Sequence, residues 1–145
     1  MRSKPGFTLI EVMTIIAILG VLFLVAYPRF TDVKKLSRTT SRELVADLRD
    51  TRSKAISTGN MHYLKLSPPE GPPYTEYGIF DSTNTQIGET QQIPSGVTCT
   101  ATTDTFSFSY LGSCISGNET ITLVGEGVTC TVSIVGFTGR ASSSQ

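Results

Sequence analysis

From Phe7 to Tyr27 the chain runs for 21 residues with a single charged side chain, Glu11. As a helix rising 1.5 Å per residue, that stretch is about 31 Å long, which matches the roughly 30 Å hydrocarbon core of a bilayer. The β-branched residues Ile15, Ile16, Ile18 and Val21 do not oppose a helix there, because in lipid every backbone polar group has to be bonded within its own segment. Pro28 follows directly, where a proline ends or kinks a helix. Three ordinary readings compete: a cleaved secretory signal, a plain membrane anchor and a buried core helix. Arg2 and Lys4 ahead of the run suit a secretory signal. The run is longer than the usual apolar core of about 7–15 residues, however, and no clear A-x-A-like cleavage site follows it. A lone carboxylate costs roughly 2.5–3.5 kcal/mol at a bilayer centre and less near the interface. Glu11 therefore calls for a partner, and the span contains none.

Formal charge cancels over the whole chain, with twelve Lys and Arg against twelve Asp and Glu. That balance excludes a strongly basic nucleic-acid binder or an acidic tail protein at the level of the whole chain. A hydrophobic fraction of 39% excludes wholesale disorder and a polytopic membrane protein alike. The zero is a cancellation between unlike segments. Residues 29–59 carry eight bases and four acids, whereas residues 60–145 carry only Lys65 and Arg140 against seven acids. The length of 145 residues leaves room for one domain besides the apolar run.

Beyond Pro28 the pattern stays helical. Phe30, Val33, Leu36, Leu44, Leu48 and Ala55 recur at intervals compatible with one stripe, and most charges fall off it. Gly59-Asn60 is a C-terminal stop, so the spacing predicts one long helix of about 50 residues ending there. After Gly59 the runs become short and are punctuated by turn residues, including the pairs Pro68-Pro69 and Pro72-Pro73. Strands are expected over 61–66, 77–80, 86–93, 97–103, 105–111, 119–124 and 128–135. Gly125-Glu126-Gly127 reads as the hairpin turn between the last two. The expected class is α+β, with a sheet whose core is completed by the helix stripe.

Motifs for chemistry are missing. The sequence holds no G-x-S-x-G, no H-E-x-x-H and no phosphate-binding glycine loop, and its scattered acids have no histidine partner for acid–base work. No enzymatic activity, cofactor or metal is expected. His62, the one histidine, reads as a surface or satisfied residue. Cys99, Cys114 and Cys130 do not match a zinc spacing, and three cysteines allow one disulfide in three pairings. Cys99 and Cys130 alternate with apolar neighbours and should face a core, which narrowly favours that pair; Cys114 lies in a loop and could replace either. Such a bridge would contribute about 3–4 kcal/mol if unstrained. Three reduced thiols are the other reading.

Lys4-Pro5-Gly6-Phe7-Thr8-Leu9-Ile10-Glu11-Val12 resembles the leader and processing site of type IV pilins and type II secretion pseudopilins. The resemblance implies that a prepilin peptidase cuts after Gly6 and methylates the new amino terminus of Phe7. It also puts Glu11 in the place of the family's characteristic acid, and Pro28 where pilins kink their helix. Cleavage leaves a positive amine on each subunit, and Glu11 of one subunit can neutralise the Phe7 amine of its neighbour. Attraction at low dielectric is strong, but desolvating both charges offsets much of it, so the pair sets register more than net affinity.

Within 43–56, a leucine-bearing turn followed by Arg52-Ser53-Lys54-Ala55 resembles the GspH/FimT branch, which includes FimU-like minor pseudopilins. Phe108-Ser109-Tyr110-Leu111-Gly112 and the ending Ile134-Val135-Gly136-Phe137-Thr138-Gly139-Arg140 resemble that branch as well. The resemblance implies a pilin-like fold: a long N-terminal helix, half transmembrane and half amphipathic, packed on an antiparallel β-sheet domain. The implied divisions are a leader at 1–6, a transmembrane and filament-core helix at 7–28, an amphipathic helix at 29–59 and a β-rich periplasmic domain at 60–145. Basic residues flank the apolar run on both sides, so the positive-inside rule does not choose an orientation. The resemblance implies a cytoplasmic amino terminus and an inner-membrane subunit that later joins a filament. Its partners would be prepilin peptidase, membrane lipid and other pilins. DNA capture by a FimT-like pilin is disfavoured by the scarcity of bases in 60–145. Adhesion or cargo binding through loops such as 68–75 stays open.

Overall fold

The computed structural model describes residues 8–26 and 33–145, with side chains over 8–23 and 35–145. The chain divides into two compact units, Met1–Asp32 and Val33–Gln145. The first unit contains helix α1, Leu9–Ala26. The helix is apolar on every side, and Leu9, Ile10, Met13, Ile16, Leu19, Leu22 and Phe23 are all exposed. An isolated helix of this composition has no face to turn to water and requires an apolar environment or neighbouring helices. Among the described residues no helix is long and apolar enough to cross a membrane; α1 as described, 18 residues, is about 27 Å long. The expected single helix of about 50 residues passes through 27–32, outside the described residues, and Pro28 lies there too.

The second unit opens with α2, Val33–Thr58. Its buried face is Ser37, Thr40, Ser41, Leu44, Val45, Leu48, Thr51 and Ala55, a clean three-and-four spacing. The stripe is thus more polar at its start than Leu-and-Val periodicity suggested. Thr51 donates its hydroxyl to the Asp47 carbonyl at 2.7 Å and Ser41 donates to the Arg38 carbonyl at 2.9 Å, so these groups are buried without being orphaned. Gly59, with φ of +67°, follows the last helical turn.

Eight antiparallel strands follow: β1 His62–Ser67, β2 Glu76–Asp81, β3 Gln86–Gln92, β4 Thr98–Ala101, β5 Thr105–Phe108, β6 Glu119–Gly125, β7 Val128–Val135 and β8 Arg140–Ser144. They form two four-stranded sheets rather than the one expected, ordered β3-β2-β1-β5 and β4-β6-β7-β8. Helix α2 packs on β1 and β5 of the first sheet and on β6, β7 and β8 of the second. One core serves all three, with Leu44, Leu48, Leu64, Phe106, Phe108, Ile121, Leu123 and Val132 essentially inaccessible. At about 1.5–3 kcal/mol for each large side chain removed from water, this cluster is the main favourable contribution to folding of the unit. The α+β class with helix on antiparallel sheet is therefore the observed one.

The hairpin between β6 and β7 closes as expected on two residues, with Gly125 opposite Val128. Glu126 at φ 45° and Gly127 at φ 76° both lie in the left-handed region, the pattern of a type I′ turn. Glycine adopts this freely; a glutamate does so at roughly 1–2 kcal/mol.

Candidate functional site

At the start of α1 the backbone N–H of Glu11 is 3.3 Å from the Thr8 hydroxyl and 3.1 Å from the Thr8 carbonyl. Thr8-Leu9-Ile10-Glu11 is thus an N-cap followed three residues later by its acid, which satisfies a first-turn donor and sets a negative charge at the positive end of the helix. The S/T-x-x-E spacing could have announced this cap from sequence alone. The carboxylate of Glu11 enters no ion pair among the described residues. Thr14, the next polar residue, donates internally to the Ile10 carbonyl at 2.8 Å. Glu11 is therefore the one uncompensated charge on an otherwise apolar and exposed helix. Gly6 and Phe7, the expected cleavage pair, lie outside the described residues, as does Pro28.

A second group of features converges at one end of the second unit, where α2 ends and the loops 109–118 and 136–139 meet. Arg52 donates from Nε to the Gly112 carbonyl at 2.8 Å. A Cβ at Gly139 would stand 2.0 Å from the same carbonyl oxygen, and one at Gly136 would stand 2.6 Å from the Gly117 backbone. The loops are stitched further by Cys114 N–H to the Gly136 carbonyl and Gly136 N–H to Asn118 Oδ1, both at 2.8 Å. Three segments distant in sequence are in this way brought to a single point: Arg52 from the helix, Gly112 from the first loop and Gly139 from the second. The same loops expose Tyr110, Leu111, Ile115 and Phe137, the last almost completely.

Beside this junction lies a cleft of about 440 Å³ lined by Arg49, Arg52, Thr138, Gly139, Arg140 and Ala141. Arg49 is fixed by Nε and Nη2 donating to the Ala141 carbonyl, at 3.3 and 3.0 Å, on the outer strand β8. Arg140 is exposed. No carboxylate lines the cleft, and the ion pair among the described residues, Lys54 with Asp50, lies outside it. A count of bases along 60–145 therefore misrepresents the surface, because α2 lies against β8 and adds Arg49 and Arg52 to Arg140.

The cysteines correct the expected bridge. Cys99, Cys114 and Cys130 are free thiols, all buried. The alternation that predicted burial for Cys99 and Cys130 is right, but it cannot bring them together. Cys99 stands opposite Leu123, and Leu123 opposite Cys130, so a whole strand separates them. Two inter-strand steps put the Cα atoms about 9–10 Å apart, beyond the roughly 7 Å limit for a disulfide. Cys114 bonds to Gly136, six residues along from Cys130 and past the end of β7, which removes that pairing too. Burial pushes the Cys99 thiol up to about 12 and raises that of Cys114. His62 is buried, with Nδ1 3.2 Å from the Asn60 carbonyl and 3.5 Å from the Thr58 hydroxyl, which makes it a satisfied structural histidine. Among the described residues no His, Cys, Asp and Glu gather as a metal site.

Comparison with known proteins matches residues 1–27 to the family described as the prokaryotic N-terminal methylation motif. The type IV major alpha-pilin of Moraxella bovis is 48% identical over 48 residues, which is 32% of this chain and 30% of that pilin. Among solved structures, the type IV minor pilin FimU of Pseudomonas aeruginosa superposes in two crystal forms. The first gives a TM-score of 0.64 at 16% identity over 80% of this chain and 92% of FimU. The second gives 0.61 at 15% identity over 74% and 92%. The chain is type IV pilin-like in its N-terminal motif and FimU-like in its fold.

Proposed function

We propose that this chain is a minor pilin or pseudopilin, a structural and non-enzymatic subunit near the tip of a type IV pilus or type II secretion pseudopilus. In this reading it enters the inner membrane through 7–28 as a single pass, with 60–145 outside the cytoplasm. A prepilin peptidase removes 1–6 and the amine of Phe7 is methylated. Lipid covers the apolar helix until neighbouring pilins replace it. The observation that carries the reading is Glu11, the lone acid on an all-round apolar, exposed helix, capped by Thr8 within a methylation motif. Such a charge is costly in hydrocarbon unless a cation meets it, and the Phe7 amine made by cleavage of a neighbour is a cation at the right depth.

The test is co-expression of the full chain with a prepilin peptidase. The wild-type chain shortens by six residues, Gly6→Leu stays at full length, and Glu11→Ala is cleaved but enters sheared filaments at a tenth or less of the wild-type level. Processing of the Gly6 variant would overturn the leader assignment. Undiminished incorporation of the Glu11 variant would overturn the charge pairing.

A further inference from the structure

We propose that the arginine cleft receives the Glu126 turn of a second copy of this chain, making a head-to-tail contact between subunits; this rests on the filament reading above. The cleft is lined by three arginines, two of them with guanidinium groups fixed in place by backbone carbonyls, with Thr138 beside them and no acid among the lining residues. Guanidinium groups held in this way are preorganised for a carboxylate. The seven carboxylates of 60–145 can be sorted. Glu76 accepts from Gln92, Asp81 from Thr83 and Thr85, Asp104 from Thr105, and Glu119 from Thr102. Among the described residues, Glu70, Glu89 and Glu126 accept no such bond and enter no ion pair.

Glu126 differs from the other two in standing at the tip of a two-residue turn with a left-handed backbone, a position that Asn, Asp or Gly fills more easily. A strained residue of the wrong type marks a side chain retained for something other than the turn. It cannot reach its own cleft. Glu126 precedes β7, whereas Arg140 pairs with Val135 at the far end of that strand, and eight residues of strand span about 26 Å. The complementary groups therefore sit at opposite ends of one strand. Contact between unlike surfaces of identical chains is heterologous, so two copies meet head to tail rather than about a two-fold axis.

The test uses the full chain extracted into detergent from cells that co-express both copies, so that one copy can slide past the other by the length of a strand. One copy carries Glu126→Cys with one tag, and the other carries Thr138→Cys with a second tag; the native thiols are buried and stay in place. Mild oxidation is expected to give a mixed dimer at least tenfold above the pair Glu70→Cys with Thr138→Cys, and molar salt should diminish it. In chains that keep these reporter positions, Arg140→Glu lowers the yield about tenfold. Alkylating the Glu126→Cys copy with a positively charged thiol reagent restores its association with the Arg140→Glu partner, read as co-purification of the two tags. Equal yields from the Glu70 and Glu126 pairs would overturn the contact, as would a yield indifferent to Arg140 and salt. Salt-sensitive binding of duplex DNA to the same arginines with no mixed dimer would overturn it in favour of a nucleic-acid groove. Leader cleavage is followed in the same cells, so loss of the dimer with normal Gly6-dependent processing counts against this contact and leaves the subunit assignment standing.

Discussion

Gly139 holds a φ of +61° with the Gly112 carbonyl oxygen 2.0 Å from where a Cβ would be, so any side chain must move backbone. Gly88 shares the left-handed φ, +81°, but nothing lies within 4 Å of its Cβ position. The pair separates conformational strain from collision. Gly88→Ala should cost about 1 kcal/mol and Gly139→Ala at least twice that, measured by urea denaturation of the detergent-solubilised chain. Equal costs would mean that the two loops do not touch as described. Tyr77 is a second single-residue determinant. Its phenol, buried, donates to the Asp47 carboxylate at 2.7 Å, and burial followed by that hydrogen bond raises its pKa above 10.0. Because the folded state keeps the proton longer than the unfolded chain, this stability is complete below pH 10 and falls as pH rises, by up to about 1.4 kcal/mol per pH unit. Cys99 adds the same sign from pH 9 up to about 12. Stability should therefore decline above about pH 9, and Tyr77→Phe should make the decline shallower between pH 10 and 11. A stability curve level to pH 11 would contradict both assignments. None of this was legible from residue types, because Tyr77 and Asp47 are thirty positions apart and only packing introduces them.

Helix α2 is the element on which both sheets depend, since the second unit has no other helix among the described residues. Leu48 is inaccessible at the centre of its stripe. Leu48→Ala should cost about 2–5 kcal/mol, read as a lowered urea midpoint, whereas Arg42→Ala on the exposed face should cost under about 0.5 kcal/mol. Most elements were readable in advance. The spacing of Leu44, Leu48 and Ala55 located the buried face of α2, and alternation located seven of the eight strands, with ends trimmed where Thr102 and Ser109 leave the ladder. Strand β8 was missed because Arg140-Ala141-Ser142-Ser143-Ser144 offers one apolar side chain and no alternation. It is a strand because β7 supplies its backbone partners and Arg49 bonds its Ala141 carbonyl. The cleft was missed for the same reason, since its arginines come from two elements ninety residues apart and become neighbours only once β8 exists. Glu11 was legible because its oddity is local: one acid in an apolar run needs no fold to be noticed.

At the scale of the whole molecule, Cys99, Cys114 and Cys130 are all free and buried, so the fold stands without a disulfide. The chain should migrate identically with and without reductant. A thiol reagent should find close to no reactive cysteine in the native chain and three after unfolding. One titratable thiol after denaturation would indicate a bridge and a rearranged second sheet. The neutral total charge also acquires a spatial meaning, with unopposed arginines at one end of β7 and Glu126 at the other. The way α2 lies on the sheets has a mechanical consequence. Arg52 neighbours Gly139 and Arg42 neighbours Ser142 and Ser143, so helix and strand β8 run side by side in opposite directions. A force applied at Val33 parallel to the axis of α2 loads this packing along the helix. Leu44, Val45, Leu48 and Ala55 would have to slide out of their sockets together, under shear, instead of peeling off one after another. Loaded in that direction, the second unit would yield by a single high-force rupture rather than by gradual unravelling.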